Sequence, residues 1–169
     1  MPTSPLGAKK LREATFFLAC LRKAEGTSRL DDESFDFYLS AFLSASRSFT
    51  FTLQYEQKEA YDQTFPGWLA SLTPEEQDVL SLLKDQRNDM LKRGTTDREK
   101  DVVFVPMWTL PSTQSPNRPL LLPWAGDRDA TIGVARHRIE VAGVQRPVLE
   151  VCSQGLALLE RFMAHFAST

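Results

Sequence analysis

Apolar positions recur at helical spacing along most of this chain, and one stretch is the fullest case. Residues 37–54, FYLSAFLSASRSFTFTLQ, carry a single charged side chain, Arg47. Phe35, Tyr38, Phe42, Phe49 and Leu53 repeat at the spacing of one helical face, which Leu39, Leu43 and Ala45 widen. The opposite side is hydroxylated rather than charged, with Ser40, Ser44, Ser48 and Thr52. A helix that is apolar or small nearly all round is buried on several sides. The pattern therefore predicts a central helix from about Ser34 to Glu56, with Tyr61 as its outer limit.

The neighbouring stretches read as its partners. Leu11, Ala14, Phe17 or Leu18, and Leu21 form the stripe of a helix from about Lys9 to Lys23. A loose segment, 1–8, precedes it and Gly26 closes it. Asp31 or Asp32 can cap the central helix. Phe65-Pro66-Gly67-Trp68 interrupts the pattern, because a proline disfavours helix at the residue before it. A short helix over Gly67 to Ser71 is expected after the break. Thr73-Pro74-Glu75-Glu76 is a helix start with a capping box and proline at the first position. That helix runs to about Arg93 and stops at Gly94. Its stripe is Leu80, Leu83, Arg87 and Met90 or Leu91, so Arg87 falls on or beside the buried face.

The character changes between 101 and 146. Asp101 to Leu110 and Thr131 to Val141 are rich in β-branched residues, and Ala142-Gly143 suits a hairpin turn. Six of the 10 prolines lie between Pro106 and Pro147, which limits any sheet to short, edge-like strands. A last helix from about Pro147 to Ala167 has a broad apolar face from Val148 to Phe166. Gly155 in its middle points to close helix packing. The expected fold is mainly α: an antiparallel bundle of four to five helices, one domain over 1–169, with a small β-hairpin insertion at 101–146 before the C-terminal helix.

Composition adds exclusions. A net charge of −2 and a pI of about 5.7 imply no bulk attraction to nucleic acid, although a local basic patch remains compatible. Cys20 and Cys152 sit in apolar helical patterns and read as reduced thiols of a cytosolic protein, with a disulfide between the two helices as the alternative. Two Cys and two His make no four-ligand metal set, and no cofactor is implied. The run Ala14 to Leu21 is too short to span a membrane, and Arg47 weighs against a spanning role for 37–54. A soluble, cytoplasmic protein without a membrane partner is expected.

Two motifs occur together: the central SFDFYLSAFLSASRS, 34–48, and the polar pair Arg87-Asn88 late in a following helix. In combination they resemble the HEPN superfamily of helical-bundle proteins. The resemblance spans about 9–94 plus the last helix and leaves 101–146 unaccounted for. It implies a homodimer whose motif-bearing helices share a cleft, and a place in a bacterial defence or toxin–antitoxin system with an antitoxin-type partner protein. The ribonuclease members carry Arg, a polar residue and a downstream His. In this chain Arg87 and Asn88 match, and Lys92 stands where the His belongs. A lysine of ordinary pKa, about 10.4, is a poor proton carrier at neutral pH.

The candidate catalytic residues are therefore Arg87, Asn88 and Lys92, and the candidate anion-binding residues are Arg47, Arg87, Asn88 and Lys92, with no metal ligands. Each has an ordinary alternative. Arg87 pairs with an acidic residue such as Asp36 or Asp85, Arg47 makes an interhelical bond, and Lys92 complements a helix C-terminus. His137 is expected as a solvated strand residue and His165 as a surface residue. Trp68, Trp108 and Trp124 are expected in packing rather than base stacking. No serine-nucleophile elbow and no phosphate loop is present. The leading expectation is a non-catalytic HEPN-like protein that binds RNA, a nucleotide or a partner protein. The alternatives are a metal-independent endoribonuclease and a purely structural interaction protein.

Overall fold

The computed structural model describes residues 4–26, 33–93, 99–106 and 131–168. They form five helices and three strands: α1 (Pro5–Gly26), α2 (Ser34–Glu56), α3 (Lys58–Ser71), α4 (Pro74–Arg93), β1 (Glu99–Pro106), β2 (Thr131–Val141), β3 (Val144–Pro147) and α5 (Val148–Ser168). The mainly helical bundle with a β-hairpin directly before the last helix is as the sequence predicts.

α2 is the central helix. Phe42, Phe49 and Leu53 are fully buried, and Phe35, Leu39 and Leu43 nearly so. α1 lies antiparallel to it, as the Ser4 hydroxyl at the start of α1 donates to Glu56 Oε2 at the end of α2. Ser4 also caps α1: the Gly7 N–H donates to its Oγ at 2.9 Å, with Pro5 at the first helical position. The segment expected to be loose through residue 8 is therefore helical from Pro5 onward, and Ser4 is buried.

The second correction concerns Pro66, which lies inside α3 rather than ending a helix. α2 and α3 are separated by Gln57 alone, whose φ of −141° breaks the helical path. Tyr61, Phe65 and Trp68 then project from one face of α3 and gather around Phe162 of α5, at centroid distances of 5.8, 5.2 and 4.7 Å. Pro66 is exposed, so the carbonyl that loses its helical partner can be hydrated. Burial of three aromatic rings outweighs the local cost of the proline.

α4 begins with the capping box. The Thr73 N–H donates to Glu76 Oε2 at 3.0 Å and the Glu76 N–H to Thr73 Oγ1 at 3.3 Å. α5 crosses α4 at Gly155, which is buried against Leu83 and Val79. Arg146, just before α5, reaches Glu75 at 2.9 Å, and Arg161 reaches Glu76 at 2.5 Å, so both tie α5 to the α4 N-terminus.

The three strands make one antiparallel sheet in the order β1-β2-β3. Ala142 (φ 49°) and Gly143 (φ 81°) form the two-residue turn between β2 and β3, a conformation that matches the twist of a tight hairpin. β2 is longer than the short edge strands expected. His137, Ile139 and Val141 point into the bundle while Arg136, Arg138 and Glu140 point out. This alternation overturns the solvated reading of His137: it is 4% exposed, and its ring stacks on Phe35 at 3.7 Å. Nearby, Glu25 is buried at the end of α1. It lies 3.8 Å from Arg136 Nη1 and accepts a backbone hydrogen bond from His137.

The cysteines are free, with Cys152 buried and Cys20 partly so, which excludes the disulfide alternative for this structure. Trp68 is packed as expected. The expectations for Asp31, Asp32, Gly94, Trp108, Trp124 and the rest of 107–130 fall outside the described residues. Among the described residues, no helix is long and apolar enough to cross a membrane.

Candidate functional site

A cavity of about 620 Å³ opens between α2, α3 and α4, with Leu159 of α5 contributing to its wall. α2 presents Ser46, Arg47, Thr50 and Gln54 to it, residues at helical spacing on the border of its buried face. α4 presents Gln77, Asp78, Leu80, Ser81, Leu83 and Lys84, and α3 presents Tyr61, Phe65 and Leu69. The α3 side is therefore aromatic and aliphatic, and the α2 and α4 sides carry hydroxyls, amides and charges together with Leu80 and Leu83.

The two polar helices run antiparallel along this cavity. Leu39 and Leu43 of α2 meet Leu82, Leu83 and Gln86 of α4 in a small void, whereas Ser46 to Gln54 face Gln77 to Lys84. The register places Lys84 toward the Arg47 end, and Gln77 and Asp78 toward the Gln54 end.

Arg47 is the central group. Its Nη1 donates to Thr50 Oγ1 at 3.3 Å, and its Cζ sits 4.1 Å from the Phe51 ring centroid, a cation–π arrangement within α2. Its Nε is buried with no hydrogen-bond partner, as is the Oγ of Ser46 beside it. Among the described residues Arg47 has no carboxylate partner, so the interhelical pairing expected as its ordinary role is not made. Burial pushes the Tyr61 hydroxyl up to about 12, against the opposing pull of the Arg47 charge. Tyr61 is thus a neutral donor at physiological pH and not a base.

Arg87 and Asn88 do not line this cavity. They follow Lys84 by three and four residues and continue its face one turn further. Arg87 therefore lies further along α4 than the residues that line the cavity. Arg87 Nη1 contacts Asn88 Oδ1 at 3.4 Å, and its Nε is buried without a hydrogen-bond partner. Neither Asp36 nor Asp85 pairs with it: Asp85 instead accepts from Ser81 at 3.3 Å. Lys92 lies in the last turn of α4, and its side chain is outside the described residues.

The hydroxyl row Ser40, Ser44, Ser48 and Thr52 lines no part of the cavity; all four are partly buried on other sides of α2. The polar lining residues that sequence reasoning missed are Ser46, Thr50, Gln54, Gln77, Asp78, Ser81 and Lys84. Their signal was the pair of polar rows at three- and four-residue spacing, one on α2 and one on α4. Among the described residues, no group of three His, Cys, Asp or Glu is placed to hold a metal ion.

Comparison of the chain with protein-family models, with curated proteins and with solved structures finds no match.

Proposed function

We propose that this chain is a HEPN-like helical protein that binds RNA or a nucleotide without cleaving it, with Arg47 as the phosphate-holding residue. One observation carries the reading. The Arg47 guanidinium borders an interhelical cavity with a buried, unbonded Nε and no carboxylate partner among the described residues. A buried N–H left without a partner is unfavourable, and a phosphate oxygen is a strong partner for a guanidinium. The absence of a histidine from the lining, among the described residues, supports binding over catalysis.

The test is fluorescence anisotropy with labelled single-stranded RNA and labelled nucleotide, on wild type, Arg47→Ala and Arg12→Ala. Arg12 is an exposed cation on α1, outside the cavity. Loss of a charge-assisted bond weakens binding in Arg47→Ala by about ten- to a hundredfold, with Arg12→Ala unchanged. Equal binding by all three proteins sinks the proposal.

A second reading, a metal-independent endoribonuclease, is favoured by Arg87, which also lacks a carboxylate partner among the described residues. RNA cleavage in the presence of a chelator, abolished by Arg87→Ala, would establish it in place of the first.

A further inference from the structure

We infer that the cavity between α2, α3 and α4 is a one-to-one site for a small planar aromatic anion carrying an N–H donor, an inference that rests on Arg47 as the anion-holding residue. Size is the first argument. At about 620 Å³ the cavity falls within the range of small-molecule sites and is far larger than an inorganic phosphate. It lies between helices and is backed by Leu159, which suits a single compact ligand better than an extended strand.

The two walls choose the chemistry. Tyr61 and Phe65, stacked at 4.9 Å, belong to an aromatic cluster that continues through Trp68 and Phe162. With Leu69, Leu80 and Leu159 they form a surface that an aromatic ring extends. An alkyl chain would satisfy that surface as well. It would also desolvate Gln54 and Asp78, whose side chains have no protein partner among the described residues, without replacing their hydrogen bonds to water, which disfavours it. A planar ring solves both problems, because its faces are apolar and its edge can be polar.

The ends choose the substituents. Arg47 and Lys84 lie toward one end of the antiparallel register and suit a phosphate or carboxylate. Asp78 with Gln54 and Gln77 lies toward the other and suits an amino or ring N–H donor. The buried Oγ of Ser46 and Nε of Arg47, both without partners, mark the side where the anion belongs. A nucleoside monophosphate and an indole carboxylate both join a planar ring bearing an N–H donor to an anionic group, a phosphate in the first and a carboxylate in the second.

Isothermal titration of the full chain tests the inference. The ligands are adenosine monophosphate, indoleacetate, inorganic phosphate, decanoate and a short single-stranded RNA. The proteins are wild type, Arg47→Ala, Arg12→Ala and Ser81→Trp, in which an exposed lining position receives a ring that fills the cavity while circular dichroism checks the fold. At least one of the two aromatic anions binds one per chain, about tenfold or more tighter than phosphate and decanoate. Arg47→Ala and Ser81→Trp each lose that binding, and Arg12→Ala retains it. Tighter binding of the nucleotide identifies a nucleotide-type ligand, and tighter binding of indoleacetate an aromatic carboxylate. Decanoate or phosphate binding as tightly as both aromatic anions overturns the inference, as does a folded Ser81→Trp that binds like wild type. RNA binding that needs Arg47, ignores Ser81→Trp and comes without aromatic-anion binding overturns this inference and leaves the RNA-binding function standing. Binding of every ligand unaffected by Arg47→Ala, or no binding at all, overturns both.

Discussion

Gly155 of α5 packs directly on Leu83 of α4: a Cβ at 155 would collide with Leu83 Cδ1 and come within 3.3 Å of its Cγ. Leu83 is buried, and because its Cγ as well as its Cδ1 stands in the way, turning the Cδ1 aside does not relieve the contact. Gly155→Ala gains about 1 kcal/mol of helix propensity and loses about 1–3 kcal/mol to overpacking. The expected net is a destabilisation of about 1 kcal/mol, a fall in Tm of roughly 2–4 °C. Gly155→Val should lose more. Urea denaturation measures both, and a raised midpoint for Gly155→Ala would falsify the close-packing account.

The capping box at the start of α4 gives a second expectation. Thr73→Ala removes the side-chain acceptor for the Glu76 N–H and should destabilise by about 1 kcal/mol. Glu76 titrates below its ordinary value, chiefly because the Thr73 N–H donates to its carboxylate and secondarily through Arg161. A depressed folded pKa contributes stability above the unfolded value near 4.5 and loses it as the pH falls through the folded value. Glu76→Gln should therefore be less stable than wild type at neutral pH, with the difference shrinking in acid. A pH-independent difference would contradict this.

Glu25 has the opposite sign. Burial raises its pKa, only partly countered by Arg136 and the His137 N–H. The stability this group contributes is present below the unfolded value near 4.5 and is lost as the pH rises through the folded value. Relative to wild type, Glu25→Gln should gain stability as the pH rises from about 4.5 to 7. Chemical denaturation across that window checks it, and a flat difference would show that burial does not govern this carboxyl.

Thiol reactivity gives a fourth. Burial pushes the Cys152 thiol up to about 12, and the thiolate is the reactive form. In the native protein iodoacetamide should label Cys20 alone, with Cys152 reacting only after unfolding. Rapid labelling of Cys152 in the folded protein would show that α5 opens locally.

Much of the fold was legible because its causes are local. The α2 limits follow from an uninterrupted apolar period, the start of α4 from Thr73 and Glu76, and the hairpin turn from Ala142-Gly143. The Ser4-Pro5 start of α1 was equally readable and was outweighed by the small, polar residues around it. Pro66 misled because its effect on the chain is local, whereas the packing of Tyr61, Phe65 and Trp68 around Phe162 joins two helices about a hundred residues apart.

The candidate site was less legible. Arg47 stood out as a lone charge in an apolar helix. Its company could not be read, because Thr50, Gln54, Gln77 and Lys84 become neighbours only when α2 and α4 lie antiparallel.

The sequence alone determined the helical class, the central place of α2, the helix starts and the hairpin turn, since each rests on periodicity, capping or turn chemistry within a few residues. Only the tertiary structure decided that His137 is buried on Phe35, that Arg47 meets a cavity without an ionic partner among the described residues, and that Arg87 lies along the bundle from it rather than in the same cavity. Those are relations between residues far apart in the chain, set by how whole helices pack, and no local pattern encodes them.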